Sequence, residues 1–558
     1  MKNQYQERRF RDFREMLNAS AETYGKRNAF CLRLSLGRYE NITYVQLREH
    51  YYRLCSFFLR AGLLGKRIAV IGKNSYEWVL CYLCAATVGV AVPIDRELSE
   101  EDIGDFLDAA NCAAVCTDGK KPSTSRPQSL MVNFKAAASL ASGNKYEIGE
   151  YVGEDFPTDR EAVDGIKLPI DKMQILIFTS GTTGKSKGVC LSQYNICSDV
   201  FYALSVIKVR PDDHTLSVLP LHHTYECTIN CLTLLSKGAC ISYAESLGKI
   251  SANIREYHPT VLVVVPELLK FLAKKIRKAV AEGCPAKYRT LFEEGDFADA
   301  MKKMPVLLRS AIRHKVRFTL GGKLRLFIVG AAELDPSIVY DFEALGIRTL
   351  QGYGLTECSP LLAANNDFYF NGDSVGVAIP GVTLRIDEPN EEGIGEILAK
   401  GDNIMIGYYN DPDATRAVFR GSWFCTGDLG RFGADGELYI TGRKKNVIVT
   451  ENGKNIYPEE IETRLSAYPE VAEVLVVPTK IHERVCVKAK ILPNTEYLRE
   501  SLGHMPDAVE IQASIRRIVD DMNDKIPGYK RVSTVDVLTE AMEKTTTRKI
   551  RRIGENVR

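Results

Sequence analysis

Short runs of consecutive apolar residues alternate, over roughly the first 330 positions, with segments whose apolar residues recur at helical spacing. The runs are IAVIG (68–72), AVPI (91–94), AAVCT (113–117), ILIFTS (175–180), VLVVVP (261–266) and LRLFIVG (324–330). A strand apolar at every position has no face to give to water, so the pattern predicts a largely parallel sheet with helices on its faces. Between 364 and 440 the texture changes. TLRIDE (383–388), GEILAKG (395–401) and GELYITG (436–442) are short strands bounded by Gly or Asp-Gly turns, which predicts a β-rich subdomain over about 364–440. After GRKKN (442–446) helix and strand alternate again, in PEEIETRLSAY (458–468), VAEVLVVP (471–478), CVKAKIL (486–492) and EIQASIRRIVDDMNDKI (510–526). The reading is an α/β chain: a large N-terminal domain, 1–442, of layered and mostly parallel sheets with helices, then a small α+β domain, 443–558. The charged GRKKN stretch is the joint between them.

Bulk properties narrow the function. A chain of 558 residues, 45% hydrophobic and 26% charged, is long enough for several cores. Its 73 basic and 71 acidic residues leave +2, so no net field points to nucleic acid or a membrane, and no nucleic-acid partner is expected. Fifteen cysteines and a start, MKNQYQERRFRDFREML, without an apolar core predict reduced thiols and a cytoplasmic location. Cys81 and Cys84, and Cys112 and Cys116, read as core packing. The longest uncharged stretch, Trp78 to Ile94, reads as a buried helix running into a buried strand rather than a membrane span. DGKKPSTSRPQS (118–129) reads as a surface loop.

One segment departs from the neutral balance. Residues 270–325 hold 15 Lys and Arg against five acids. Leu268, Leu272, Ile276 and Val280 share one face of a helix with lysines opposite. Such a helix either lies on a membrane surface, giving peripheral contact through 268–325, or turns its basic face to solvent.

The candidate chemistry begins with TSGTTGKSKG (179–188), which is rich in glycine, hydroxyls and positive charge. A Walker loop needs four residues between its first glycine and the Gly-Lys pair and runs straight into a helix; here only Thr182 and Thr183 intervene. Strand-like sequence stands on both sides, and a helix starts only after Ser192, a good N-cap. Without a helix dipole, the loop must hold phosphate through backbone N–H groups, the hydroxyls of Thr179, Ser180, Thr182 and Thr183, and the charges of Lys185 and Lys187, with Gly181 and Gly184 giving flexibility.

FTSGTTGKSKGV resembles the signature of the AMP-forming adenylating enzymes, the superfamily of acyl-CoA synthetases, luciferases and peptide-synthetase adenylation domains, and further matches follow in that family's order from about residue 10 to the C-terminus. By resemblance, His223 in LPLHHTYE (219–226) lies at the acyl pocket. Gly330, Ala331 and Ala332 in VGAAEL (329–334) let a flat ring approach the backbone. In QGYGLTE (351–357), Tyr353 stacks on adenine, Thr356 reaches the α-phosphate and Glu357 holds Mg²⁺. Asp428 in CTGDLG takes the ribose hydroxyls, Arg443 binds ribose or phosphate, and Lys445 is the hinge. Gly453 in VTENGKNIYPEEIE (449–462) lets a pantetheine arm pass. Lys549 in KTTTRKIRR (544–552) is the catalytic lysine; the family's usual glycine before it is replaced by Arg548, and Lys544 is the second candidate.

The resemblance implies ATP, Mg²⁺ and CoA, with a mobile C-terminal domain, and two half-reactions: a carboxylate attacks the α-phosphorus to give an acyl adenylate and pyrophosphate, then a thiol takes the acyl group. No Asp stands between Leu221 and Asn230 to bind an amino group. The basic insertion and TENGKNIYPEEIE resemble the long-chain fatty acyl-CoA synthetase branch, which points to a medium- to long-chain fatty acid. Transfer to acyl carrier protein, an aryl or other acid, and a non-catalytic acyl- or nucleotide-binding protein remain the alternatives. Oligomeric state is left open.

Overall fold

A computed structural model describes residues 4–119, 130–179, 186–293, 296–450, 454–481, 484–544, 550 and 552. The chain forms two compact units: Met1–Thr383 with Ala399–Phe424, and Leu384–Leu398 with Cys425–Arg558.

The first unit holds two large sheets. One has nine strands in the order Val377–Ala378, Leu361–Ala364, Arg348–Gly354, Leu326–Val329, Val261–Val264, His214–Ser217, Cys240–Tyr243, Asn28–Ser35 and Arg38–Thr43. Its six central strands run parallel, and antiparallel strands close both edges. The other has seven, in the order Gly407–Tyr408, Lys187–Leu191, Ile175–Thr179, Val90–Pro93, Arg67–Ile71, Cys112–Thr117 and Leu130–Asn133, parallel from Ile175–Thr179 onward. Each of the six apolar runs read from the sequence is a strand of one of these sheets. The fold class is therefore α/β, as expected from the apolar runs.

The uncharged stretch from Trp78 is a helix followed by a strand. Ser75 caps Tyr76–Val88, every residue of which is buried, and the chain turns at Gly89 into Val90–Pro93. Glycine is required there, because a Cβ would stand 2.0 Å from the Lys66 carbonyl oxygen. No described helix is long and apolar enough to cross a membrane. All fifteen cysteines are free thiols. Cys81, Cys84, Cys112 and Cys116 are buried, in keeping with a packing role. A hydrogen bond with Cys116, together with burial, pushes the Cys81 thiol up, and burial does the same for Cys84.

The basic amphipathic helix is Pro266–Gly283, and its apolar face is committed inward: Leu269, Leu272, Ala273, Ile276 and Val280 pack with Val264, Phe327 and Phe342. Of the two readings of its basic face, the solvated one holds, and this helix has no apolar face to give a membrane. Ala286–Glu293, Phe297–Lys303 and Val306–Thr319 complete the helical segment.

In the second unit, Val471–Ile481 and Arg484–Pro493 form a long antiparallel pair, with Val532–Val537 parallel to the latter. Pro458–Ser466 and Ala508–Asp524 pack on it through Ile461, Leu465, Ile515, Ile518 and Met522. Asp507 starts the second of these helices with a capping box closed by Glu510. The segments CTGDLG and GELYITG form an antiparallel pair in which Asp428 stands opposite Arg443.

Candidate active site

The glycine-threonine loop joins two strands, not a strand and a helix. Thr179 pairs with Lys187, Phe178 with Gly188 and Ile177 with Val189, and the Thr179 hydroxyl donates to the Lys187 carbonyl at 3.4 Å. The next helix, Gln193–Val206, begins only beyond the second strand, where Ser192 and Asn195 close a capping box. Ser180, Gly181, Thr182, Thr183, Gly184 and Lys185 lie outside the described residues.

The strand that leaves the loop carries Lys187 to a second predicted motif. Gly407–Tyr408 pairs antiparallel to it, with Val189 opposite Tyr408. The Lys187 ammonium stands 4.7 Å from the centroid of the Tyr408 ring, within cation–π range. The Tyr408 hydroxyl donates to Oε1 of Glu357 at 2.9 Å, and Met405 N–H donates to the Glu357 carbonyl at 2.8 Å. Lys187 and Glu357, 170 positions apart in sequence, are thus joined through one tyrosine.

Buried polar groups hold the Glu357 loop. Tyr353 is the last residue but one of the strand Arg348–Gly354, opposite Ala363, and Thr356 and Glu357 sit in the single helical turn Thr356–Cys358. The Asn403 amide nitrogen lies 2.6 Å from the Leu361 carbonyl, 3.0 Å from the Cys358 carbonyl and 3.2 Å from Oδ1 of Asp199, while Leu361 N–H donates to Oδ2 of Asp199. Asp199 and Asn403 are fully buried, and burial pushes the Asp199 carboxyl well above the usual range. A Cβ at Gly354 would meet the Pro360 carbonyl oxygen at 1.8 Å, so the loop closes on a bare backbone.

LPLHHTYE and VGAAEL also meet. Tyr225 donates to the Ile328 carbonyl at 3.0 Å and lies near that of Val264 at 3.3 Å; a Cβ on Gly330 would stand 3.1 Å from its ring. Ala331 has φ +73°, a left-handed conformation that an alanine adopts only at a cost, and Ala332 follows it in the same turn. His223 lies 4.1 Å, ring to ring, from His222, whose pKa burial lowers to about 4 and whose Nε2 faces Asp95 at 3.7 Å. One turn further, Glu226 is wholly buried and accepts from Ser217 at 2.6 Å and Asn230 at 2.7 Å. Burial raises its pKa to about 7 against the pull of those two donors. Ser217 also accepts from Asn74, which in turn receives Leu221 N–H at 3.0 Å, so the buried glutamate anchors the histidine loop.

In the second unit Nε of Arg443 lies 2.6 Å from Oδ1 of Asp428, a cross-strand ion pair, with Asp428 buried and Arg443 partly exposed. Lys444 pairs with the buried Glu396 at 2.7 Å. Lys445 lies inside this unit, its pKa lowered first by burial and then by Arg443 and Arg552. Gly453 and Lys549 fall outside the described residues, but the flanks of the Lys549 segment are held. Lys544, the second candidate lysine, is engaged with Glu473 at 2.5 Å and bridges to Ile550; Arg552 binds Glu462 and donates to the Val476 carbonyl at 3.0 Å.

Three residues of the first-unit cluster were not singled out in the sequence: Tyr408, Asp199 and Asn403. Among the described residues no group of three or more His, Cys, Asp or Glu side chains forms a metal centre. Glu357 offers one carboxylate, which fits an Mg²⁺ ion that draws its other ligands from water and substrate phosphates.

Residues 17–409 match the family model of the AMP-binding enzymes, and 445–553 match that of the AMP-binding enzyme C-terminal domain. Long-chain-fatty-acid–CoA ligase ACSBG1 of Homo sapiens is 29% identical over 459 residues, which cover 76% of this chain and 63% of that protein, so the match spans less than two thirds of its length. Long-chain-fatty-acid–CoA ligase FadD15 of Mycobacterium bovis is 27% identical over 450 residues, 77% of this chain and 74% of that protein. Among solved structures, o-succinylbenzoate CoA synthetase of Bacillus subtilis with its acyl-adenylate intermediate aligns with a TM-score of 0.71 at 21% identity, covering 96% of each chain, and a Mycobacterium tuberculosis fatty acyl CoA synthetase aligns at 0.64 and 22%, covering 97% of this chain and 96% of that one; both are likenesses of fold. With a family model covering most of its length, the chain belongs to the AMP-binding enzyme family, the AMP-forming adenylating superfamily.

Proposed function

We propose that the protein activates a medium- to long-chain fatty acid with ATP, releasing pyrophosphate, and passes the acyl group to CoA. The observation that carries this reading is the Lys187–Tyr408–Glu357 connection, which ties the basic end of the phosphate loop to the carboxylate suited to Mg²⁺. The names of the relatives, long-chain-fatty-acid–CoA ligases, support the acid and the acceptor.

In this reading the acid's carboxylate oxygen attacks the α-phosphorus and the bond to the bridging oxygen of pyrophosphate breaks. Thr356 donates to an α-phosphoryl oxygen and the Lys549 ammonium balances the charge that builds there. Lys185, Lys187 and the loop hydroxyls hold the outer phosphates. Bound Mg²⁺, held by Glu357, supplies charge neutralisation to the phosphates. Tyr353 stacks on adenine beside Gly330, Ala331 and Ala332; Asp428 and Arg443 bind the ribose; His223 borders the acyl group. Lys445 is the pivot of a mobile C-terminal domain and Gly453 the passage for pantetheine in the second half-reaction.

Pyrophosphate release measured across acyl chain lengths, with and without CoA, tests the proposal. Release that rises with fatty acids of at least medium length and acyl-CoA that appears only with CoA support it. Activity confined to aryl or amino acids, orthophosphate as the product, or transfer to acyl carrier protein in preference to CoA would each overturn a stated part of it.

A further inference from the structure

The segment from Asp402 to Tyr408 holds Glu357 at several points, and a residue from far upstream grips its first member. Asn403 is tied to Cys358, Leu361 and Asp199, Met405 N–H donates to the Glu357 carbonyl, and Tyr408 donates to the Glu357 carboxylate. The far end of the segment is fixed by the ladder between Gly407–Tyr408 and Lys187–Leu191. Its near end is held by side chains. There the Asn195 amide donates to the Asp402 and Ile404 carbonyls at 2.7 and 3.0 Å, and the Asp402 carboxylate meets Arg9. Nη2 of Arg9 stands 2.6 Å from Oδ2 of Asp402, 2.8 Å from the Tyr194 hydroxyl and 2.9 Å from the Ser198 hydroxyl. The rings of Tyr194, Tyr202 and Phe201 surround the guanidinium, 5.0, 5.7 and 5.8 Å from its carbon. Tyr194 and Tyr202 also donate to Oδ2 of Asp402, at 3.3 and 3.2 Å.

The backbone that carries Arg9 is pinned on both sides. Tyr5 N–H donates to the Ser205 carbonyl at 2.9 Å, Phe13 N–H donates to Oε1 of Gln193 at 2.7 Å, and Phe10 is buried. An isolated, partly exposed ion pair holds little, because two long side chains must be ordered to make it. Here that ordering is already supplied by the anchors and the three rings, so the contact can fix its partner. We infer that Arg9 is a positioning residue for the Glu357 carboxylate, acting through Asp402 and the segment that ends at Tyr408; this rests on the reading of Glu357 as the carboxylate that holds Mg²⁺. Without the guanidinium, Asp402 keeps the two tyrosine hydroxyls, and the near end of the segment hangs on the Asn195 amide. Asn403 and Met405 then move with it, and the Glu357 turn loosens while the sheets stay as they are.

Two measurements on the full chain test this. The first is hydrogen exchange followed by mass spectrometry, with neither metal nor nucleotide added. Arg9→Gln should speed exchange in the peptides that contain the Leu361 and Met405 amides by about three- to tenfold. The strands Arg67–Ile71 and Val261–Val264 should keep wild-type protection, and Arg9→Lys should restore part of what is lost. The second is pyrophosphate formation against Mg²⁺ concentration. The Mg²⁺ needed for half the maximal rate should rise by about three- to tenfold in Arg9→Gln and in Asp402→Asn, and the double variant should be no worse than either, since both residues act through one contact. Glu357→Gln is the reference. If it leaves the Mg²⁺ requirement unchanged, the reading of Glu357 fails and the inference falls with it. If it raises the requirement and Arg9→Gln does not, or if Arg9→Gln leaves exchange at Leu361 and Met405 at the wild-type rate, the role of Arg9 alone is overturned. Exchange that accelerates equally in the sheet strands also overturns that role, because Arg9 would then serve stability only.

Discussion

Glu226→Gln offers a quantitative check of the buried network under the histidine loop. The Glu226 carboxyl is fully buried, and its pKa of about 7 stands against an ordinary 4.5. Below pH 4.5 the carboxyl is protonated in both folded and unfolded chains, and stability is at its full value. As pH rises from there the unfolded chain gives up the proton first, the folded chain keeps it, and stability falls by about 1.4 kcal/mol per unit until both are ionised near pH 7. The loss over the window is about 3 kcal/mol. Glutamine keeps the oxygen that accepts from Ser217 and Asn230 but cannot ionise. The variant should therefore start at most about 2 kcal/mol less stable at pH 4.5 and gain on the wild type by about 3 kcal/mol between pH 4.5 and 7. Urea unfolding followed by tryptophan fluorescence reads the correct unit, since both tryptophans, Trp78 and Trp423, belong to the first unit with Glu226. A stability difference that stays constant across this pH range would show that Glu226 is ionised in the folded protein and refute the reasoning.

Three further outcomes are expected. Tyr408→Phe removes a hydrogen bond to the Glu357 carboxylate, worth at most about 1.5–3 kcal/mol of stability, and, by freeing that carboxylate, should lower pyrophosphate formation and raise the Mg²⁺ concentration it requires; an unaltered rate at every Mg²⁺ concentration would remove Glu357 from the proposed site. Ala331→Gly relieves a left-handed alanine and should stabilise the first unit by about 1 kcal/mol, read as a higher urea midpoint; a lower midpoint would mean that the alanine methyl packs more than it strains. Lys549→Ala should abolish adenylation while leaving thiolation of a preformed acyl adenylate largely intact; equal loss of both half-reactions would move the lysine's role elsewhere.

The sheets were legible because their strands are apolar on both faces, a pattern of four to seven residues that needs no partner to be recognised. The loop was legible as a strand-to-strand connection for a similarly local reason: Ser192 marks the helix start well after Lys187. Tyr408, Asp199 and Asn403 were not, because their roles arise from contacts across long separations. Asp199 and Asn403 are 204 positions apart, and each by itself is an ordinary polar residue. The amphipathic helix Pro266–Gly283 was legible as an element but not in its role. Its periodicity is the same whether its apolar face meets lipid or protein, and only the packing of Leu272 and Ile276 against Phe327 and its neighbours decides between them. The joining of Leu384–Leu398 to Cys425–Arg558 in one compact unit likewise has no local signature, since it depends on which strands find each other after the chain has left and returned.

The pairing of Thr179 with Lys187, continued on the other side by Val189 with Tyr408, separates what can vary from what cannot. If the loop holds phosphate as proposed, residues inserted or exchanged between the two ends will alter that hold without disturbing the two ladders or the hydrogen bond from Tyr408 to Glu357. A slip of one position within the strands themselves would turn Lys187 to the opposite side of the sheet. Natural variants and engineered chains with altered nucleotide turnover should therefore carry their changes inside that short connection and leave its two anchoring ladders intact.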